Sequence, residues 1–173
     1  MNTKSLTLAL LFSPACCWAA PVDPITDTTP IHDIMHFHVM PEAQVLWDAT
    51  ALYITIEGER NLYPKNDAEW NAVEQSRIAL EETLKALLVP GRVADIPEAG
   101  EVIPEGDLKP DEIQALIKNQ PEAWAAMVHA LEGTLQQAKK AIADQDVEAL
   151  REIGGAIDDN CEACHKHFWY PNS

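Results

Sequence analysis

The run Asp158-Asp159-Asn160-Cys161-Glu162-Ala163-Cys164-His165-Lys166-His167-Phe168-Trp169-Tyr170-Pro171 decides how the rest of the chain is read. Within it, Cys161-Glu162-Ala163-Cys164-His165 has the spacing of a c-type haem attachment motif. In that motif two thiols form thioethers to the porphyrin vinyl groups, and the adjoining imidazole ligates the iron. On a helix Cys161, Cys164 and His165 share one face, because positions three and four apart lie above one another. This reading makes Cys161 and Cys164 covalent anchors and His165 the proximal ligand. Cys-x-x-Cys also serves thiol redox enzymes and zinc sites. A thioredoxin-like pair belongs early in a βαβ unit, whereas this one ends a helical chain. Zinc could draw on Cys161, Cys164, His165 and His167, but Cys164 and His165 point about 100° apart on a helix, so closing a tetrahedron would unwind it.

Working outward, Asp146 caps a helix that runs through Val147, Leu150, Ile153 and Ile157 into the motif. Gly154-Gly155 in its middle costs roughly 1 kcal/mol each relative to Ala, which implies that a haem edge or a crossing helix approaches the backbone there. Pro121 opens the preceding helix, carried by Trp124, Met127, Val128, Leu131, Leu135, Ala138 and Ile142 to about Asp144. Asp111 to Lys118 reads as a short helix, and Arg92 to Pro110 as a long surface loop. Asn66, with Glu69 three residues on, starts a helix through Trp70, Val73, Leu80, Leu84 and Leu88 to Val89, stopped by Pro90-Gly91. Farther upstream, Thr28 or Thr29 before Pro30 reads as a helix cap. Apolar residues from Ile31 through Met35, Val39, Leu46, Leu52, Tyr53 and Ile56 follow helical spacing to about Glu57. Pro41 interrupts this run, so the spacing predicts either a kink there or a short helix ending near His38 and a second beginning at Pro41. The expected fold is all-α, an antiparallel four-helix bundle over residues 31–173 with a covalently attached haem near its C-terminus.

A bundle whose attachment motif lies on its last helix resembles the class II c-type cytochromes, the cytochrome c-prime type, in a bacterial and largely uncharacterised branch. The stretches that carry the resemblance are Asp33-Ile34-Met35, Pro41-Glu42-Ala43 to Leu46-Trp47-Asp48, Asp67-Ala68-Glu69-Trp70, Pro90-Gly91-Arg92, Pro121-Glu122-Ala123-Trp124 and Cys161 to Pro171. They cover essentially the whole mature chain, and the attachment motif is the most specific of them. Trp47, Trp70 and Trp124 read equally well as ordinary core residues. The resemblance implies one haem c, one-electron transfer without bond chemistry, redox proteins as partners, and in some relatives a homodimer formed through the first two helices.

In this family the sixth position on the iron comes from the first helix, and the resemblance places it at or near Met35. A thioether there raises the potential and suits an electron carrier. His36 is the alternative, giving a bis-His haem of lower potential. The third reading is five-coordinate iron with Met35 packing nearby, which implies a protein that binds or senses NO or CO. A copper or zinc site from His32, His36 and His38 needs no metal to explain its spacing, and His129 and His167 read as surface or propionate-facing residues. Arg77, Arg92 and Lys166 are candidate cations beside buried propionates.

Composition agrees with an exported helical protein. Of 173 residues 47% are apolar, enough for one core, and only 7 are Gly. Residues 1–19 read as a cleaved signal peptide, with Lys4 before an apolar stretch and small residues near Ala19, and 20–30 as an irregular arm. A lipoprotein with Cys16 acylated would need a better lipobox than Ser13-Pro14-Ala15. Cys16 and Cys17 leave with the signal, so the motif pair staples nothing distant. The net charge is -16, and about -17 once Lys4 is removed, since 11 basic then face 28 acidic residues. Such a surface repels nucleic acid and anionic lipid, and no stretch beyond the signal is long and apolar enough for a membrane span. The expected location is the periplasm, in soluble form.

Overall fold

The computed structural model describes residues 23–96 and 102–171, and these are mostly helical. The signal reading at 1–19 and Cys16 lie outside the described residues. From Asp23 to Pro30 the arm is irregular, closed by a turn in which the Thr26 N–H donates to Thr29 Oγ1 at 2.9 Å. Helix α1 (Ile31–Ile34) starts after Pro30, with no side-chain cap from Thr28 or Thr29. Its first donors are satisfied from elsewhere: Ile31 N–H reaches the Val93 carbonyl at 2.8 Å and His32 N–H the Ala94 carbonyl at 2.9 Å.

Between α1 and α2 (Met40–Asp48) the chain neither kinks open nor breaks. It passes through a π-helical turn, Met35–Val39. Pro41 supplies the cause, because its ring in an unbroken α-helix would strike the carbonyl four residues back, and it has no N–H to give. Widening the turn lets the Met40 N–H bond to the Met35 carbonyl, five residues back, and seats Pro41 in the first turn of α2.

The helix expected to reach Glu57 stops at Asp48. Leu52–Thr55 (β1) and Gly58–Asn61 (β2) form a two-stranded antiparallel hairpin instead, with Thr55 opposite Gly58 and Leu52 opposite Asn61. Leu52, Tyr53, Ile54 and Thr55 are aromatic, β-branched or apolar residues that suit a strand, and Gly58 takes a φ of +121° that closes the turn. Every residue of both strands is exposed, so the apparent helical spacing had no core to face.

Beyond the hairpin the boundaries follow the caps. Helix α3 (Asp67–Leu87) starts with Asn66 Oδ1 accepting the Glu69 N–H at 3.0 Å, while the Glu69 carboxylate accepts the Lys65 N–H. Helices α4 (Pro110–Asn119) and α5 (Pro121–Ala143) each begin on proline. Asp146 caps α6 (Val147–Phe168) through the Ala149 N–H. Helix α2 packs on α3, α3 on α5, α5 on α6 and α6 back on α2. Ile34, Leu46, Leu80, Leu84, Leu135, Leu150 and Ile157 are fully buried within one continuous core.

One helix crossing limits the space at the first residue of the glycine pair. Trp47 of α2 lies against Gly154, its Nε1–H donating to the Gly154 carbonyl at 3.0 Å. A Cβ on Gly154 would stand 3.5 Å from Trp47 Cδ1, whereas one on Gly155 would meet nothing within 4 Å. A crossing helix is therefore what approaches α6, and it does so at Gly154.

Candidate functional site

Between the α1–α2 segment, the C-terminal part of α6 and the loop after α3 lies a cavity of about 320 Å³. That volume falls in the range of small-molecule and cofactor sites. Its wall is mainly apolar, including Val39, Leu84, Leu87, Leu131 and Phe168. Met35, His36, Cys161, Cys164 and His165 all line it. Elsewhere, an open surface depression of about 540 Å³ beside Pro24, His38, Glu82 and Arg92 contains none of these five residues.

Helix α6 brings the cysteines and His165 to one wall, as their spacing predicts. Cys161 and Cys164 are free thiols, partly buried, with Cys161 packed against the core. Burial pushes the Cys161 thiol up to about 11, helped by the negative charge of Asp158, and burial together with Cys161 pushes Cys164 to about 11 as well. Burial also lowers the pKa of His165, against an opposing pull from Glu162. The His165 ring meets Trp169 edge to face, with centroids 5.3 Å apart, and Tyr170 at 6.1 Å. The neighbouring Asn160 side chain donates to Thr134 Oγ1 of α5 at 3.0 Å and to the Ala156 carbonyl, which fixes the start of the motif against α5.

The facing residues come from the π-helical turn. Met35 is half-buried against the core, while His36 is exposed at the cavity's edge. His36 stacks on His32, rings 8° from parallel and 6.0 Å apart, and takes Phe37 edge-on at 4.7 Å. His32 Nδ1 lies 3.5 Å from Asp33 and 3.6 Å from Asp95.

The loop after α3 is more than a surface connector. Ala94, Asp95, Ile103, Pro104, Asp107 and Leu108 all line the cavity. The loop is tied at both ends: Ala94 N–H donates to Gln114 of α4 at 2.7 Å, Leu108 N–H to the Trp169 carbonyl at 2.8 Å, and Trp169 Nε1–H to Asp107 at 3.0 Å. Sequence reasoning missed this wall. The signal available was the apolar pair Ile103-Pro104 and Leu108 within an otherwise polar stretch.

The proposed cations do not reach the cavity. Arg77 is buried on α3, where Glu74 and Glu81 take its guanidinium at 2.7 and 2.5 Å. Arg92 is also buried, donating to the carbonyls of Ala86, Thr26 and Thr29, so it anchors the N-terminal arm to the end of α3. Lys166 is exposed and pairs with Glu162 at 3.0 Å. His129 is a surface residue bonded to Glu132, and His167 bonds Gln120 at 2.8 Å. Among the described residues no three His, Cys, Asp or Glu side chains gather as a metal site, so neither the Cys/His zinc set with His167 nor the His32/His36/His38 set is assembled. No described helix is long and apolar enough to cross a membrane.

Fold and site thus define a mostly helical protein with a largely apolar, cofactor-sized cavity bearing two thiols and an imidazole on one wall. No protein-family model matches the chain, and no curated protein or solved structure matches it.

Proposed function

We propose that the chain is an exported, monohaem c-type cytochrome of the cytochrome c-prime kind, acting in one-electron transfer in the periplasm. The observation that carries the proposal is the convergence on one cavity of Cys161, Cys164 and His165 from α6 with Met35 and His36 from the π-helical turn. The group fits its surroundings: a largely apolar wall suits a macrocycle, and the half-buried thiols at the required spacing suit thioether attachment. In this reading the segment α1 to α2, α3, α5 and α6 are the four members of an antiparallel bundle.

Haem c, when bound, supplies an iron that takes up and releases one electron. Cys161 and Cys164 would hold the macrocycle through thioethers, and His165 would be the proximal ligand to its iron. Trp169 and Tyr170 restrict the His165 ring, and Phe168 and Trp124, in edge-to-face contact at 5.2 Å, add to the apolar wall. Met35 is the assigned distal ligand because it is half-buried, whereas His36 is engaged with His32 and Phe37. An apolar wall disfavours net charge on the iron and so raises its potential.

The test is the optical spectrum of the protein exported with haem maturation intact, oxidised and dithionite-reduced, then with CO. A sharp low-spin reduced spectrum that CO leaves unchanged, lost in Met35→Ala and kept in His36→Ala, is the expected result. A high-spin spectrum that shifts at once with CO would replace electron transfer with the gas-binding reading. Absence of a Soret band would remove haem altogether.

A further inference from the structure

The two aromatic rings beside His165 are themselves held in place. Helix α6 ends at Phe168, and the next two N–H groups, of Trp169 and Tyr170, both donate to the His165 carbonyl, at 2.8 and 3.0 Å. That wrap turns the residues four and five positions on back toward the imidazole, which is why both rings reach it. Trp169 is 37% exposed and Tyr170 partly so, and a ring open to solvent on one side moves between rotamers unless its polar tip is fixed. Each tip is fixed by a carboxylate. Trp169 Nε1–H donates to Asp107 at 3.0 Å, and the Tyr170 hydroxyl donates to Glu162 at 2.6 Å.

We infer, resting on the haem reading above, that Asp107 and Glu162 are positioning residues for His165: by holding Trp169 and Tyr170 they fix the plane of the imidazole that would ligate the iron. Metal-bound imidazoles take their orientation from the groups around them, and loss of such a group costs about 10–100-fold in affinity or activity. The indole meets the imidazole 80° from parallel, so turning either ring breaks the edge-to-face contact.

The course of the backbone does not depend on these carboxylates. Leu108 N–H, donating to the Trp169 carbonyl, already ties the loop to the end of α6, and the two bonds to the His165 carbonyl already set the path of the chain. What the carboxylates add is the side-chain angle. They come from separate elements: Asp107 from the loop that walls the cavity, and Glu162 from inside the attachment motif, three residues before His165. Glu162 thus has a use at a motif position whose residue type the attachment chemistry leaves free. Its bond to Tyr170 holds the carboxyl below its ordinary value and pushes the hydroxyl up to about 12, so the tie persists through the neutral range. Lys166 holds the other Glu162 oxygen at 3.0 Å.

Two measurements on the haem-loaded chain test the inference. Exchange of the Trp169 indole proton, followed by NMR, should be about tenfold faster in Asp107→Ala, as loss of one hydrogen bond to a charged group predicts. The hyperfine-shifted haem methyl resonances of the oxidised protein, whose spread follows the plane of the axial imidazole, should move in Asp107→Ala and Glu162→Ala. They should return in Asp107→Asn and Glu162→Gln, which keep an acceptor oxygen. Glu105→Ala removes the same charge from the same loop and should leave them in place. Methyl resonances unmoved in both alanine variants overturn the inference even where the urea midpoint falls, because ties that only stabilise the fold would do no more than that. A shift in Glu105→Ala as large as that in Asp107→Ala also overturns it, in favour of charge alone. In either case a normal Soret band keeps the haem reading, whereas its absence removes that reading and the inference together.

Discussion

Replacing Gly154 and Gly155 by the same larger residue separates the cost of glycine in a helix from the contact with Trp47. Each glycine costs α6 about 1 kcal/mol relative to alanine. At Gly155 a side chain enters open space, so Gly155→Ala recovers most of that and Gly155→Leu nearly as much. At Gly154 a Cβ lies 3.5 Å from Trp47 Cδ1, an ordinary contact, so Gly154→Ala keeps the gain. A leucine there has to occupy space held by the indole. Overpacking costs about 1–3 kcal/mol, and pushing Trp47 Nε1 off the Gly154 carbonyl costs about 1 kcal/mol more. Net of the helical gain, Gly154→Leu should destabilise the protein by about 1–3 kcal/mol while Gly155→Leu stabilises it by about 0.5–1 kcal/mol. Urea denaturation reads this directly: with a slope of about 2 kcal/mol per molar, the two midpoints should move in opposite directions and differ by about 1–2 M. Equal midpoints for the two leucine variants would refute the claim that Trp47 limits the size of the side chain at 154.

Two further perturbations test the site and its support. In chain produced without haem maturation, thiols pushed to about 11 by burial hold less thiolate than those of the unfolded chain, whose ordinary value is 9.0. Alkylation of Cys161 and Cys164 at pH 8 should therefore be about a hundredfold slower folded than in urea, and should accelerate toward pH 11; equal rates would show the thiols to be solvated. Arg92→Ala leaves the carbonyls of Thr26, Thr29 and Ala86 without their donor. It should cost about 3 kcal/mol and expose residues 23–30 to limited proteolysis, with Arg92→Lys recovering only part, and an unchanged urea midpoint would contradict the anchoring role.

The long helices were legible because cap, period and stop agree in each. Asn66 with Glu69, Pro121, and Asp146 mark starts that the structure keeps to within a residue. The motif wall was legible for a similar reason, since α6 spacing alone puts Cys161, Cys164 and His165 on one side. The hairpin was not. Leu52, Tyr53 and Ile56 match a helical period by coincidence, and only the strand propensity of the run and the Glu57-Gly58 turn argued the other way. The cations failed on a different ground. Arg77 and Arg92 each have a nearer use, two carboxylates in one case and three backbone carbonyls in the other. Sequence gives the charge of a side chain but not its competing partners.

Met35 and His36 both line the cavity, together with His32, Val39 and Met40 of the same segment, because positions three and four apart share one helix face. Position alone therefore cannot choose between them, and surroundings must. Met35 has its thioether half-buried against the core and no polar partner to give up. His36 is exposed, stacked on His32 and edge-on to Phe37. Drawing the imidazole inward would forfeit both ring contacts, whereas the thioether is already among the residues of the wall, and under the proposed haem reading that difference favours Met35 as the ligand.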